Sequence, residues 1–198
     1  MILTITVIII IIVILLFASP NLSPIPYYPS NKKDMPLIIK ALNLKNNQVI
    51  YDLGAGDGVV IFKAAKEALS KKLNTVFVAV EINPVLILIL QLQRFFHPNK
   101  KNIRIVWGDM FKINLKSQIS NLKSKSQNLK LNKAITIKQY SNITIYLYIS
   151  PWLIEKTLSI IKKQFTKFNI VSYFYPVRSL KNNEKIVRGV KNIYVYEV

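Results

Sequence analysis

The sequence contains no cysteine and a single histidine, His97, among its 198 residues. Without thiols the protein can form neither disulfide bonds nor thiolate metal sites, and no cysteine nucleophile is available. One imidazole is too few for a histidine-based zinc site and leaves little scope for a serine triad. These absences exclude several large enzyme classes and predict a site without a metal.

Acidic residues are also scarce, with nine Asp and Glu against 28 Lys and Arg, which gives a net charge of +19. A charge of this size is typical of proteins that bind nucleic acid or anionic membranes. Only four of the basic residues are arginines, whose planar forks bind phosphate best. A general surface property therefore explains the charge about as well, and a nucleic-acid partner is possible but not favoured.

The first 18 residues carry no charge, and no charged residue precedes Lys32. A helix of about 20 apolar residues spans the hydrocarbon core of a bilayer. Because the basic start of a signal peptide is missing, we interpret residues 1–19 as a retained transmembrane helix that contacts the lipid bilayer. Lys32 and Lys33 follow this segment, so the positive-inside rule predicts a single-pass membrane protein with a cytoplasmic C-terminal domain.

Residues 20–31 are rich in proline and predict an extended linker, after which residues 32–198 form one domain. Helical patterns there alternate with short apolar runs at 48–53, 75–81, 103–108, 142–150 and 169–175. This alternation predicts an α/β fold with a Rossmann-like, doubly wound, mostly parallel sheet. Segments near 185–188 and 192–198 predict a C-terminal antiparallel hairpin. Residues 115–140, rich in Lys, Ser and Asn, are interpreted as a low-complexity surface insertion.

The stretch "YDLGAGDG" places Gly54, Gly56 and Gly58 directly after a predicted strand. Glycines at such a turn let a ligand approach the backbone closely. A Walker A loop is excluded because no Gly-Lys-Ser/Thr follows. Asp52 and Asp57 would repel a diphosphate but attract a cation that carries an amino group. S-adenosylmethionine has a sulfonium and an α-ammonium, and we predict it as the cofactor.

Two further acids stand at predicted strand ends. Glu81 is placed to accept hydrogen bonds from ribose hydroxyls, and Asp109 is placed to accept one from the adenine amino group. Tyr27, Tyr28 and Ser30, just before the domain, are candidates for a lid over the cofactor. The predicted cofactor-binding residues are Tyr28, Ser30, Asp52, Gly54, Ala55, Gly56, Gly58, Glu81, Ile82, Asp109 and Met110.

A series of motifs occurs in order along the chain: "PYYPS", "YDLGAGDG", "AVEINP", "GDMFKINL", "NITIYLYIS", "IVSYFYP" and "IYVYEV". Together they resemble the class I (seven-β-strand) methyltransferases, and more closely the small membrane-anchored lysine methyltransferases. Known eukaryotic members of that family modify the ATP synthase c subunit and the adenine nucleotide translocase. The resemblance implies an enzyme that uses S-adenosylmethionine to methylate lysine in a membrane or membrane-proximal protein.

The acceptor side is less defined, and no general base can be identified. Ser150, Trp152, Ser172 and Tyr173 are the candidates for lining it. An RNA or DNA methyltransferase is an alternative, although "YISPW" stands where base-amino methylation uses an Asn/Asp-Pro-Pro-Tyr/Phe loop. A small-molecule or lipid methyltransferase and a non-catalytic membrane-anchored interaction module are further alternatives.

Overall fold

A computed structural model of the chain describes residues 3–7, 28–120 and 142–198. The helices of the domain are α1 (Met35–Leu42), α2 (Val59–Ser70), α3 (Pro84–Phe96), α4 (Leu115–Ser120) and α5 (Pro151–Gln164). The strands are β1 (Gln48–Leu53), β2 (Val76–Glu81), β3 (Ile103–Trp107), β4 (Asn142–Leu147), β5 (Asn169–Tyr173), β6 (Glu184–Arg188) and β7 (Asn192–Glu197). Short 3₁₀ helices cover Lys100–Asn102 and Arg178–Asn183.

The seven strands form one sheet in the order β3-β2-β1-β4-β5-β7-β6. Strands β1 to β5 run parallel to one another, whereas β7 runs antiparallel to both β5 and β6. The prediction of a Rossmann-like, mostly parallel sheet that ends in an antiparallel hairpin is confirmed. The chain order reverses between β1 and β4, and open parallel sheets bind their ligands at such a point.

Helices cover both faces of the sheet, which explains why its central strands are buried along their whole length. All six residues of β1 and all six of β2 are buried. On one face Tyr51 and Val78 pack with residues of α5 such as Ile161. On the other face Ile50 and Phe77 pack with α1, α2 and α3. Two apolar cores thus hold the central strands in place and fix their carboxyl ends.

Prolines mark the starts of two helices on the ligand side of the sheet. Pro84 and Pro151 occupy the first turns of α3 and α5, where a missing N–H costs no hydrogen bond. Asn83 caps α3 by accepting hydrogen bonds from the backbone N–H groups of Val85 and Leu86. These local signals explain why the bounds of both helices are readable from the sequence.

Within the described residues, no helix is long and apolar enough to cross a membrane. Residues 3–7 are helical, and the rest of the predicted transmembrane segment 1–19 lies outside the described residues. Most of the predicted linker 20–31 also lies outside them. The anchor and its orientation therefore stay predictions.

The first residues of the segment 115–140 belong to the folded domain. Leu115 is buried in the same core as Tyr51, whose hydroxyl donates a 2.7 Å hydrogen bond to the Leu115 carbonyl. The Leu115 N–H donates in turn to Oε1 of Gln164 in α5. Helix α4 is thus fastened to the sheet, whereas residues 121–140 lie outside the described residues.

Candidate functional site

A cleft opens at the carboxyl ends of the central strands. The loops after β1, β2, β3 and β4 form its walls, and the segment before α1 lies across it. Open parallel sheets bind small molecules at this edge. The lining residues are Tyr28, Pro29, Ser30, Asp52, Gly54, Ala55, Gly56, Asp57, Val59, Val60, Val80, Glu81, Ile82, Leu86, Gly108, Asp109, Met110, Phe111, Tyr146, Tyr148 and Ile149.

The glycine loop after β1 is held tightly against β2. The N–H groups of Gly54 and Ala55 both donate to the Val80 carbonyl at 2.9 Å. Gly54 has a φ of +85°, and a side chain there would reach Ile149 at 3.4 Å. The backbone conformation therefore requires glycine at this turn and leaves the cleft open beside it.

Gly58 differs from the other predicted glycines because it does not line the cleft. Its φ is +76°, and a Cβ atom there would collide with Leu90 and Phe62. Gly58 therefore allows α2 to pack closely on α3. The sequence placed it among the ligand-binding residues because a glycine that serves packing looks the same as one that admits a ligand.

Asp52, near the carboxyl end of β1, is buried and lines the cleft. Within the described part of the chain its carboxylate accepts no hydrogen bond. Burial raises its pKa well above the ordinary value of 3.8, and the nearby carboxylates of Glu81 and Asp57 raise it further. A buried carboxylate in this state is suited to a cationic ligand, whose charge would stabilise its ionised form.

The Glu81 carboxylate accepts hydrogen bonds from two different loops. Its Oε2 atom accepts a 2.8 Å hydrogen bond from the Gly56 N–H, and Oε1 accepts from the N–H groups of Ile82 and Asn83 at 2.9 Å. The side chain thus ties the glycine loop to the start of α3. Since a carboxylate has about four acceptor positions, these three bonds leave capacity for a ligand hydroxyl.

Asp109 follows β3 and lines the cleft. Its Oδ1 atom accepts a 2.9 Å hydrogen bond from the Phe111 N–H, and its Oδ2 atom lies 3.9 Å from the Lys112 ammonium. Met110, which is buried, and Ile82 also line the cleft. The loop after β3 thus gives the cleft an acidic side chain next to an apolar one.

The segment before α1 is joined to the sheet beneath it. The hydroxyls of Ser30 and Tyr146 lie 3.0 Å apart, and Tyr28 and Pro29 line the cleft beside them. Tyr146 in β4 is the register partner of Asp52 in β1. The structure therefore brings the predicted lid residues Tyr28 and Ser30 to the same cleft as the acids.

Tyr146 and Tyr148 line the cleft but were not among the predicted residues. Both lie in "NITIYLYIS", where alternation with Ile and Leu indicates a core strand. The register of Tyr146 opposite Asp52 places this end of β4 at the cleft, and the register comes from pairing between strands 94 positions apart rather than from the local pattern. The alternate spacing of two tyrosines at a strand end was the available signal.

The predicted acceptor residues are not brought together. Ser150 directly follows the cleft residue Ile149 and precedes α5. Trp152 is 75% exposed and belongs to a neighbouring shallow pocket with Tyr175 and Arg178. The Trp152 side chain therefore lies outside the cleft.

Ser172 and Tyr173 are buried in β5 and do not line the cleft. The Ser172 hydroxyl donates to the Tyr175 carbonyl at 2.6 Å. The Tyr173 hydroxyl donates to Oδ2 of Asp34 at 2.7 Å. Both hydroxyls are thus committed to internal hydrogen bonds, and the structure gives these two residues a role in the fold.

Comparison with known proteins identifies relatives of this chain. The family model of the ribosomal RNA adenine dimethylases matches residues 27–175. An RNA methyltransferase from Salinibacter ruber, solved with S-adenosyl-L-homocysteine, has a TM-score of 0.60 at 18% identity and covers 86% of this chain and 94% of its own. A precorrin-6y C5,15-methyltransferase from Geobacter metallireducens has a TM-score of 0.52 at 13% identity, over 86% of this chain and 92% of its own. These likenesses show the fold.

A local similarity extends to a protein-lysine N-methyltransferase of Saccharolobus islandicus. The two sequences are 37% identical over 59 residues, which are 30% of this chain. The match spans about a third, 34%, of the length of that relative.

Proposed function

We propose that this chain, which belongs to the ribosomal RNA adenine dimethylase family and is an S-adenosylmethionine-dependent methyltransferase, methylates lysine side chains of a protein. The enzymatic assignment removes the alternative of a non-catalytic interaction module. The remaining alternatives differ in the methyl acceptor. The side chains on the acceptor side of the cleft are therefore the ones that distinguish them.

The acidic side of the cleft fits S-adenosylmethionine. The Asp52 carboxylate, which lacks a hydrogen-bond partner among the described residues, would hold the α-ammonium group. Glu81 would accept a hydrogen bond from the ribose, and Asp109 one from the adenine amino group. When bound, the cofactor supplies an electrophilic methyl group on its sulfonium. The cofactor carries no phosphate for these acids to repel.

The composition of the loop after β4 is the observation that carries the proposal. Tyr148 and Ile149 line the cleft there, and Pro151 starts α5. No amide or carboxylate side chain occurs in the sequence "LYISPW" from 147 to 152. The amino group of a nucleobase is a weak nucleophile that needs polar acceptors to orient its hydrogens. This loop offers only the hydroxyls of Tyr148 and Ser150, and neither an amide nor a carboxylate.

A lysine amine makes different demands on the site. It must lose its proton before attack, and apolar surroundings favour the neutral amine because burial disfavours the charged form. Phe111, Tyr148 and Ile149 supply such surroundings at the cleft. These side chains would desolvate and orient the amine, and water would carry the proton away.

The local similarity to a protein-lysine N-methyltransferase supports the same acceptor class.

We extend the proposal to the place of the reaction. The uncharged first 18 residues of the sequence would hold the enzyme at a bilayer as a single-pass protein with its domain in the cytoplasm. The favoured substrate is therefore a membrane or membrane-proximal protein.

Labelling of membranes tests the acceptor. The purified full chain is incubated with methyl-labelled S-adenosylmethionine and membranes from cells that lack the protein, and the labelled species are identified by mass spectrometry. We expect methyllysine in a protein, abolished by Asp52→Asn and retained by Glu197→Gln, a surface carboxylate on β7. Label in RNA alone, or only in a lipid or small-molecule extract, would contradict a lysine acceptor.

RNA methylation is the second candidate, since the matching family model describes ribosomal RNA dimethylases and the net charge is +19. It predicts methylated adenine after incubation with ribosomal RNA. It also predicts RNA binding that weakens steeply with salt, because phosphate contacts release counterions. Offering protein and RNA acceptors in one reaction compares the two candidates directly.

A further inference from the structure

Helix α3 presents large apolar side chains to solvent. Leu88, Leu92, Phe95 and Phe96 are 70%, 60%, 64% and 75% exposed, and we call these four residues the α3 apolar face. The same helix buries Leu86 and Leu90 in the domain. A surface helix ordinarily turns polar residues to water. An exposed apolar patch of this kind indicates a binding surface.

The α3 apolar face is a stripe rather than a scatter of single residues. Leu88, Leu92 and Phe95 follow one another at spacings of four and three, which places them along one side of a helix. Phe96 extends the stripe, since its ring packs edge-to-face on Phe95 with centroids 5.0 Å apart. None of the four residues lines the cleft, so the face is separate from the proposed active site.

The helix ends in a cationic edge. Lys100 and Lys101 follow it and are exposed, and the Lys100 Nζ atom lies 5.2 Å from the centre of the Phe95 ring. No Asp or Glu occurs in the sequence between Glu81 and Asp109. The apolar stripe therefore has a positive border, and its own segment of the chain carries no negative charge.

An exposed tryptophan stands near the other end of the helix. Trp107 is 67% exposed, and its indole N–H donates to the carbonyl of Ile82, just before α3 begins. Tryptophan is enriched where apolar and aqueous regions of a membrane meet. Trp107 thus adds an exposed aromatic side chain near the start of α3.

We propose that the α3 apolar face lies against the surface of an anionic lipid bilayer. Leu and Phe side chains would enter the boundary between headgroups and acyl chains, and Lys100 and Lys101 would meet lipid phosphates. Apolar side chains in the centre with cations at the edge suit a lipid surface. RNA bases stack on aromatic rings, but the aliphatic Leu88 and Leu92 offer them no ring to stack on.

The absence of cysteine allows a direct test on the full chain. A nitroxide label is attached at Leu92→Cys, and a matched label at Ile186→Cys on β6, which is also an exposed apolar position at 49%. Both proteins are reconstituted into phosphatidylcholine nanodiscs with or without phosphatidylglycerol. We expect the label at 92 to collide several-fold more with oxygen, and several-fold less with an aqueous nickel complex, than the label at 186.

The other occupants of the face are separate outcomes of this measurement. Equal accessibility at 92 and 186 overturns the proposal. Shielding of position 92 from both oxygen and nickel also overturns it, because protein would then cover the face. Dipolar coupling between labels at 92 would identify a contact between two copies and overturn it likewise.

The cationic edge has its own test. Replacing Lys100 and Lys101 with Glu should remove the dependence on phosphatidylglycerol, and an unchanged dependence contradicts their contact with lipid phosphate. Binding of S-adenosylmethionine by every labelled protein verifies the fold. That readout is independent of which acceptor the enzyme uses.

Discussion

Tyr146 in β4 and Ser30 in the segment before α1 lie 116 positions apart in the chain, yet their hydroxyls approach to 3.0 Å. This contact fastens the segment from Tyr28 to Ser30 across the cleft. Among the described residues, this bond links the side chains of the segment to strand β4.

Removing the Tyr146 hydroxyl should loosen that segment. In Tyr146→Phe the ring stays and the bond to Ser30 is lost, so we expect affinity for S-adenosylmethionine to fall about two- to tenfold, the range for one neutral hydrogen bond. Calorimetric titration measures the change. Tyr194→Phe, on β7, is the matched control, and equal affinities in the two variants would argue against a role for the contact.

Asp52→Asn should separate cofactor binding from stability. The substitution removes the charge proposed to hold the α-ammonium, and we expect affinity for S-adenosylmethionine to fall roughly 10- to 150-fold, the range for a hydrogen bond to a charged group. Because no hydrogen bond to the described residues is lost, the melting temperature of the free protein should stay the same or rise. A large loss of stability would indicate instead that Asp52 serves the fold.

The affinity for S-adenosylmethionine should also depend on pH. Burial, together with Glu81 and Asp57, raises the Asp52 pKa in the free protein well above 3.8. Below that raised pKa the side chain is neutral and attracts the ammonium less, so affinity should increase as the pH rises and level off once Asp52 is ionised. Titrations across pH measure the curve, which Asp52→Asn should flatten. A flat curve for the unmodified protein contradicts this assignment.

Asp34→Asn should destabilise the domain. Asp34 is buried, and its carboxylate accepts hydrogen bonds from the N–H groups of Val190 and Lys191 and from the Tyr173 hydroxyl, at 2.6, 2.9 and 2.7 Å. An amide would turn an N–H group toward one of these donors. We expect the free energy of unfolding to fall by about 2–4 kcal/mol. Urea unfolding measures this change, and Glu197→Gln should leave the value nearly unchanged.

The Asp34 contribution should disappear in acid. Burial alone raises its pKa, but the hydrogen bonds from Lys191, Tyr173 and Val190 and the Lys191 charge together lower it below 3.8. Its stabilisation is therefore present above pH 3.8 and is lost as the pH falls through the lowered pKa of the folded state. The difference between the Asp34→Asn and unmodified proteins should shrink over that acidic range.

Local signals in the sequence were sufficient to predict most of the fold. Pro84 and Pro151 mark helix starts, Gly54 and Gly58 mark the turn after β1, and the buried strands are continuous apolar runs. The same signals predicted the acids of the cleft, because parallel strands bring their carboxyl ends to one edge.

Contacts between distant positions could not be predicted in this way. The sequence suggests that Tyr173 lines the acceptor side, whereas in the structure its hydroxyl donates to Asp34, 139 positions earlier. The sequence suggests that Tyr146 is a core residue, whereas strand pairing places it beside Asp52 at the cleft. In both cases the partner is chosen by the tertiary fold, and no local pattern carries that information.

The register of β1 against β4 divides the cleft between two parts of the chain. Its acids, Asp52, Asp57, Glu81 and Asp109, all come from the first part, whereas Tyr146, Tyr148 and Ile149 come from the second. In evolutionary terms the two parts can diverge separately. A lineage could change the acceptor by altering residues after β4 while its cofactor site stays unchanged. Exchanging those residues between relatives is therefore a rational route to enzymes with new targets.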